Sequence, residues 1–202
     1  MKNKKKLILV PTVVVLILGF IGLLIFAIYD AIASEKSIVR LGDYSELTYT
    51  ASDRDTAGTQ VVDLIVERTR FGGVVKTNAN KLYEGTMSFY QKDADEMGLT
   101  IEQYVELYLN TDMKTLKKTV KDASLLVAKE EAVLNEIADR EKIFLTSAQF
   151  NELVQKYMDS VGYTDLDMFL DDYNEDELRV RMRQDITIDF LLKKAQGPAL
   201  TD

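Results

Sequence analysis

The sequence has no histidine, cysteine or tryptophan, and it has only two prolines. These absences exclude imidazole general-base chemistry, thiol nucleophiles, disulfides and Cys/His zinc sites. The absence of cysteine does not indicate whether the protein resides in a reducing or an oxidising compartment, because a domain without cysteine is stable on either side of a membrane. What is present is 47% hydrophobic and 29% charged residues in a chain of 202, which suits one modest globular domain with an appendage. The scarcity of proline favours long helices.

The N-terminal segment has the composition of a membrane anchor. Four lysines within residues 2–6 precede an uncharged run from Leu7 to Tyr29. At about 1.5 Å per residue this run spans roughly 34 Å, enough for the hydrocarbon core of a bilayer. The lysines should stay cytoplasmic, so the rest of the chain should be extracytoplasmic. The alternative is secretion after cleavage at Ala33, which forms an A-x-A arrangement with Ala31, although secretory apolar cores usually run only about 7–15 residues.

The charge is divided unevenly along the chain, whose net charge is −8. The first 33 residues carry four lysines and one aspartate, so the remaining residues carry a net charge of −11. An acidic domain argues against binding to nucleic acid and against adsorption to anionic lipid.

The pattern beyond the anchor predicts a mostly α fold. Residues 34–58 mix β-forming and polar residues and predict an extended linker with one or two short strands. From Thr59 onwards apolar residues recur at helical spacing, and Gly72 and Gly73 should end the first helix. We therefore divide the chain into the tip and anchor (1–33), the linker (34–58), a helical domain (59–197) and a tail (198–202).

The boundaries of the later helices are indicated by capping residues and glycines. Two stretches have the form of a capping box, and two glycines follow apolar stripes as helix stops. The longest helix is predicted from about Met113 to Ile143. The predicted capping boxes are Thr100 with Gln103 and Thr146 with Gln149, the other predicted N-caps are Asp112, Thr164 and Asn174, and the predicted stops are Gly98 and Gly162.

No residue pattern points to catalysis or to a bound cofactor. Carboxylates are abundant, but the region from Asp165 to Glu177 lacks the glycine-containing loop of a calcium site. The stretch "RFGG" is too poor in glycine for a phosphate-binding loop. The carboxylates therefore suit solvated helix faces and N-caps.

Five stretches, in this order, resemble the trigger factor family. They are "VRLGDYSELTYT", "QVVDLIVERTRF", "MSFYQKDADEMGLTIEQYVELYLNTD", "LLVAKEEAVLNEIADREKIFLTSAQFNELV" and "DELRVRMRQDITIDFLLKKA". Each alone is an ordinary amphipathic helix or strand, but the ordered series is specific. The resemblance covers roughly residues 38–196. It implies the C-terminal chaperone domain of trigger factor, a fold shared with SurA-type chaperones.

The chain departs from the family's full architecture. The ribosome-binding domain is replaced by the predicted anchor, and only ten residues separate Tyr49 from Gln60, where the isomerase domain would stand. Neither ribosome binding nor prolyl isomerisation is therefore carried over. What remains is the part that holds unfolded polypeptides, which are called clients below.

The resemblance implies a chaperone that binds unfolded or nascent secreted polypeptides without ATP, metal or other cofactor. The predicted anchor adds that this chaperone is held at the membrane, with its helical domain extracytoplasmic. Methionine and aromatic side chains are the candidate client contacts, since they are adaptable, although apolar stripes more often pack in a core. The residues selected are Met87, Tyr90, Met97, Tyr104, Tyr108, Met158 and Phe169.

Two other functions stay open at this point. The same helices suit a non-catalytic adaptor that tethers one dedicated membrane partner, or a module that forms a homodimer. The family name also suggests a prolyl isomerase. The sequence does not support this function, because no second domain of the needed size is present.

Overall fold

The computed structural model describes residues 37–201. The predicted anchor from Leu7 to Tyr29 and the predicted cleavage point at Ala33 lie outside the described residues. Within residues 37–201, no helix is both long enough and apolar enough to cross a membrane.

Helices dominate the described part of the chain, which confirms the prediction of a mostly helical fold. Seven helices and two short strands occur within residues 37–201. In chain order they are β1 (Ile38–Arg40), α1 (Arg54–Arg68), β2 (Arg70–Phe71), α2 (Gly73–Glu96), α3 (Ile101–Tyr108), α4 (Met113–Arg140), α5 (Ser147–Val161), α6 (Leu166–Asp172) and α7 (Glu175–Lys194).

The described residues form two compact units. One, the inserted unit, consists of Lys76–Ala128. The other, the main unit, consists of residues 37–75 and 129–201. The boundaries between them fall within the continuous helices α2 and α4.

The main core of the main unit lies between α1, the second half of α4 and α7. Its centre contains Val61, Ile65, Val133, Ile137 and Leu191, each with no exposed surface. The apolar stripe on α1 recurs at the spacing that places side chains on one helix face, so burying this stripe drives the packing.

The close approach of α1 to α7 requires a glycine. A methyl group added at Gly58 would lie 2.8 Å from Cγ2 of Ile188, which is closer than two carbon atoms can pack. Beside this contact the Arg54 guanidinium bonds to Asp185 at 2.6 Å and to Asp189 at 2.8 Å. Partial burial acts to lower the pKa of Arg54, but these two carboxylates raise it above its ordinary value.

The segment before α1 pairs with the segment after α7. The backbone N–H of Gln196 donates to the carbonyl of Leu47, and the N–H of Tyr49 donates to the carbonyl of Gln196. Gly197 lies against the Tyr49 ring, where a methyl group would come within 2.4 Å of Cε2. Parallel bridges join Thr48 to Gln196 and residue 53 to residue 201, so the linker and the tail hold each other in extended conformation. Separately, β1 pairs with β2 in antiparallel orientation.

Four predicted helix boundaries were wrong, and three of them belong to the first helix and to α6. The first helix begins at Arg54 rather than Thr59, because the Asp53 carboxylate accepts a hydrogen bond from the N–H of Thr56 at 2.8 Å and caps it there. The same helix ends at Arg68, before the glycines, since β2 follows at once. The N-cap of α6 is Asp165, not Thr164, and its carboxylate accepts from the N–H of Met168 at 3.0 Å.

The end of the longest helix also differs from the prediction. It ends at Arg140 rather than near Ile143. Lys142 has a φ of 55°, in the left-handed region, and a helix cannot continue through that conformation.

The remaining caps and stops are confirmed. Both capping boxes are formed, each with the threonine side chain bonded to the glutamine N–H and the glutamine side chain bonded back. The Asp112 carboxylate accepts from the N–H of Thr115, and the Asn174 side chain accepts from two N–H groups in the first turn of α7. Gly98 and Gly162 have φ values of 68° and 83°, as helix-terminating glycines do.

Candidate functional site

The inserted unit has a small aromatic core of its own. Tyr90 of α2 and Tyr104 of α3 are buried with Val105, and α4 adds Leu116 and Val120. Burial raises the pKa of both tyrosine hydroxyls to about 12. The Tyr104 hydroxyl donates to the Asp93 carboxylate at 3.2 Å, so it has a partner that holds it in place.

Large apolar side chains remain exposed around this core. Leu107 and Met97 have 69% and 51% of their surface exposed. Tyr108 stacks on Tyr104, with ring centroids 5.3 Å apart, and is also exposed. The exposed large apolar residues of the inserted unit are Met97, Leu107, Tyr108, Leu125 and Leu126. Isolated exposed apolar residues are ordinary, but several in one small unit are typical of a binding surface.

The helices α5, α6 and the start of α7 pack around an aromatic cluster in the main unit. Phe169 is fully buried at its centre and stacks on Tyr173, with ring centroids 4.5 Å apart. Tyr157 and Tyr163 meet the Phe169 ring edge-on, at centroid distances of 5.7 and 5.4 Å. Met158 is buried in the same core. These arrangements are the ones that aromatic rings prefer in a packed interior.

The segment from the end of α4 to α6 also exposes apolar side chains. Phe144 is 71% exposed and Met168 is 64% exposed. Val161 at the end of α5 and Leu166 at the start of α6 are exposed as well. Met168 directly precedes the buried Phe169, and the rotation of about 100° between consecutive residues turns its side chain away from the core.

The structure separates the seven predicted client contacts into three groups. Four of them, Tyr90, Tyr104, Met158 and Phe169, are packed inside cores. They are buried because their spacing places them on the inward faces of their helices, and their role as client contacts stays a prediction. Met87 is half-buried against the core of the inserted unit. Met97 and Tyr108 are exposed and available to a partner.

Sequence reasoning missed the most exposed apolar residues. Leu107 lies beside the predicted buried stripe of α3 rather than on it, and an apolar residue off the stripe was the available signal. Leu125 and Leu126 form a pair on α4 outside the line of buried residues Leu116, Val120 and Ala128, and both are exposed. Phe144 stands in the turn after Lys142, where its exposure depends on the local backbone and could not be read from periodicity.

The main unit also contains a small open cleft with a volume of about 260 Å³. Its polar walls include Arg54, Glu130 and Asp185, and its floor includes Val62 and Leu134. The guanidinium is already bonded to carboxylates, and the lining has neither a hydroxyl activated by a base nor a thiol. The cleft therefore has no arrangement that we can connect with a catalytic reaction.

Burial raises the pKa of three glutamates of the main unit, one of which, Glu130, lines this cleft. Burial raises the pKa of Glu131 to about 8, and the neighbouring charge of Glu130 raises it further in the same direction. Burial and the charge of Asp63 raise the pKa of Glu130 to about 7. Burial also raises the pKa of Glu177 to about 7, and its Oε2 is buried without a hydrogen-bond partner.

The family model of the bacterial trigger factor protein C-terminus matches residues 54–195 of the chain. The matched region begins at the first residue of α1 and ends at the C-cap of α7, so it includes all seven helices described above. The chain belongs to the trigger factor C-terminal family. This region of trigger factor is its non-catalytic chaperone part, which agrees with a fold made of helices that expose apolar side chains. No curated protein and no solved structure matches the chain.

Proposed function

We propose that this protein is a membrane-anchored, extracytoplasmic holdase, which binds unfolded or nascent secreted polypeptides without ATP. Membership in the trigger factor C-terminal family supports a chaperone. The observation that carries the proposal is the exposure of large apolar side chains in both units, including Leu107 in the inserted unit and Met168 in the main unit.

The mechanism is the reversible burial of apolar client segments against these side chains. Burying one large apolar side chain contributes about 1.5–3 kcal/mol, so a few such contacts hold a client without trapping it. The methionines suit clients of different sequence, because their unbranched side chains adapt to many shapes. The net charge of −8 keeps the loaded protein soluble. No step in this mechanism makes or breaks a covalent bond.

The location follows from the proposed anchor. The uncharged run from Leu7 to Tyr29, with lysines before it, supports one membrane span with a cytoplasmic N-terminus. The division into an anchor (1–33), a linker (34–58), a helical domain (59–197) and a tail (198–202) belongs to the same proposal. In this arrangement the chaperone would meet secreted chains as they leave the membrane.

An aggregation assay tests the function and the contribution of the exposed side chains. We expect the full chain, held in nanodiscs, to suppress aggregation of three unrelated, chemically denatured proteins at near-stoichiometric ratios. Replacing Leu107 and Met168 together with serine removes two exposed apolar contacts, so the concentration needed for half-suppression should rise by about tenfold, the factor that corresponds to about 1.4 kcal/mol.

The matched control replaces the exposed acidic neighbours of these two residues, Glu106 and Asp167, with serine. It changes the same helices and should leave suppression unchanged. Failure to suppress aggregation of all three clients would contradict the proposed function. Recovery of one partner at fixed stoichiometry, or of a homodimer by light scattering, would instead favour an adaptor.

A further inference from the structure

The first turns of α4 carry a row of four lysines in a chain that is otherwise acidic. Lys114, Lys117, Lys118 and Lys121 recur at the spacing that puts side chains on one face of a helix. All four are exposed. We call this row the lysine stripe. It lies entirely within the inserted unit.

The positive charge of the lysine stripe is mostly unneutralised. Lys118 Nζ lies 2.9 Å from an oxygen of Asp122, and this contact raises the pKa of Lys118. Within residues 37–201, the other three lysines of the stripe have no carboxylate within ion-pair distance. At physiological ionic strength salt screens exposed charges beyond about 8 Å. A partner that binds close to the stripe therefore interacts mainly with this local positive charge rather than with the net charge of the chain.

The spacing of the lysine stripe fits an extended polypeptide. At about 1.5 Å per residue, its lysines are separated by about 5–6 Å along the axis from one turn to the next. In an extended chain, side chains on the same side recur about every 6.6–6.8 Å. The long, flexible lysine side chains can reach across the small difference between these two spacings. Carboxylates at alternate positions of such a chain would therefore each meet one turn of the stripe.

An exposed apolar residue continues the same line. Leu125 follows Lys121 by four residues and so lies one turn further along the same face. It is 38% exposed, and the adjacent Leu126 is 44% exposed. This face of α4 therefore has positive charge along the lysine stripe and an apolar side chain at its C-terminal end.

We propose that the lysine stripe and Leu125 bind extended acidic segments of client polypeptides, with carboxylates at alternate positions and an apolar residue after them. This inference rests on the proposed function and specifies one class of client segment. The charge complementarity selects an anionic partner. A polypeptide is favoured over an anionic membrane, because a narrow extended chain meets only the stripe, whereas a broad membrane surface also faces the rest of residues 34–202, which carry a net charge of −11.

On this inference an acidic protein holds acidic client segments through the lysine stripe. The rest of its surface repels carboxylates, so without the stripe it would bind only neutral or basic segments. Each exposed ion pair is individually weak, so affinity depends on several lysines being engaged together. Binding of this kind should also weaken as salt is added.

Fluorescence anisotropy with three labelled peptides tests the inference on the full chain in zwitterionic nanodiscs. The first peptide has aspartates at alternate positions and a leucine after them, the second has the same composition with the aspartates adjacent, and the third has asparagines in place of aspartates. We expect the first peptide to bind about tenfold more tightly than the third and several-fold more tightly than the second, with the difference lost at high salt.

Variants of the stripe identify the residues responsible. Lys117→Gln with Lys121→Gln should lower affinity for the alternating peptide by about fivefold or more, and the arginine versions should restore it, because the charge is retained. The matched control, Lys92→Gln with Lys156→Gln, changes two exposed lysines on other helices and should have no effect. Binding of the asparagine peptide to the stripe variant should stay at the wild-type level, because that peptide has no carboxylates for the lysines to meet.

Equal affinity for the aspartate and asparagine peptides would overturn the inference, and so would binding that survives the loss of both lysines. Stronger binding of the stripe to anionic vesicles than to the alternating peptide would also overturn it, in favour of a lipid surface. The proposed function can fail separately, because a protein that binds the acidic peptide through the stripe but does not suppress aggregation is not a holdase.

Discussion

Replacing Phe169 with alanine is expected to lower the free energy of unfolding by about 3–5 kcal/mol, the usual cost of removing a buried phenylalanine. Phe169 has no exposed surface, and three tyrosine rings contact it. Alanine would leave a cavity between α5, α6 and α7. The neighbouring rings would lose their preferred contacts, each of which contributes about 0.5–1.5 kcal/mol beyond area burial.

Chemical denaturation followed by near-ultraviolet circular dichroism measures this effect, since the tyrosines of the cluster report on its packing. Phe144→Ala is the matched control: it removes the same side chain from a position that is 71% exposed. Its effect should stay within about 0.5 kcal/mol, as for other surface substitutions. Phe169→Leu, which conserves much of the volume, should cost less than alanine.

The Phe169 experiment also separates two roles for this residue. Sequence reasoning selected Phe169 as a client contact, whereas the structure places it in a core. A core residue changes stability and leaves the binding of clients by the folded protein intact. If Phe169→Ala leaves the free energy of unfolding unchanged but weakens client binding, the cluster opens in solution and Phe169 lines a binding cleft.

The helix ends show how far local sequence determines this fold. A capping box needs only a threonine and a glutamine three residues later, so both boxes could be predicted from residues that are close in the chain. The start of α1 was missed because its first turns, "RDTAG", are polar and lack an apolar stripe. There the signal was Asp53, a good N-cap in a stretch already rich in aspartate.

Burial was harder to predict than helix boundaries, and Tyr104 and Tyr108 show why. They are one turn apart on the same predicted stripe of α3, yet Tyr104 is 8% exposed and Tyr108 is 44% exposed. Periodicity identifies the face of a helix that turns inward, but how far along the helix its neighbours cover that face depends on tertiary packing. The candidate contacts chosen from the stripes therefore fell partly inside the cores.

The two compact units were not predictable for a related reason. Their boundaries lie inside α2 and α4, where the chain continues as regular helix. Domain boundaries in a sequence are recognised by proline, glycine and polar linkers. A boundary that lies within a continuous helix needs no such linker, so the sequence gives no signal for it. The lysine stripe was visible in the sequence as charges between the apolar residues of α4. Only the structure shows that three of its lysines have no ion-pair partner within residues 37–201.

The second large effect is expected from pH. Stability should fall as pH rises from about 5 to about 8. The pKa of Glu131 is raised by burial to about 8, and that of Glu130 is raised by burial to about 7, both from an ordinary value of 4.5. Glu177 contributes in the same direction, since burial raises its pKa to about 7.

The sign follows from the protons that each state holds. Above about pH 4.5 the unfolded chain releases these carboxyl protons, while the folded protein keeps them until the raised pKa values are passed. The unfolded state therefore binds fewer protons across this window, and the free energy of unfolding decreases as pH rises. Above about pH 8 both states are ionised and the dependence levels off.

The charges around these glutamates strengthen the effect. The charge of Asp63 on α1 raises the pKa of Glu130, and burial raises that of Asp63 itself. Arg54 shares the cleft with Glu130, but Asp185 and Asp189 already engage its guanidinium. Each pKa unit corresponds to about 1.4 kcal/mol, and partial exposure of Glu130 and Glu131 reduces that figure, so we expect a total loss on the order of 2–4 kcal/mol.

Denaturation of the full chain at several pH values measures this loss directly. Glu131→Gln should be more stable than wild type at about pH 8 and should show a flatter pH dependence, because glutamine carries no charge to bury. Glu136→Gln is the matched control on the same helix: Glu136 pairs with Arg140 at 2.7 Å on the surface, and its loss should leave the slope unchanged. A slope in Glu131→Gln equal to that of wild type would show that Glu131 is ionised in the folded protein at neutral pH, and the cause of any pH dependence would then have to be sought at Glu130 and Glu177.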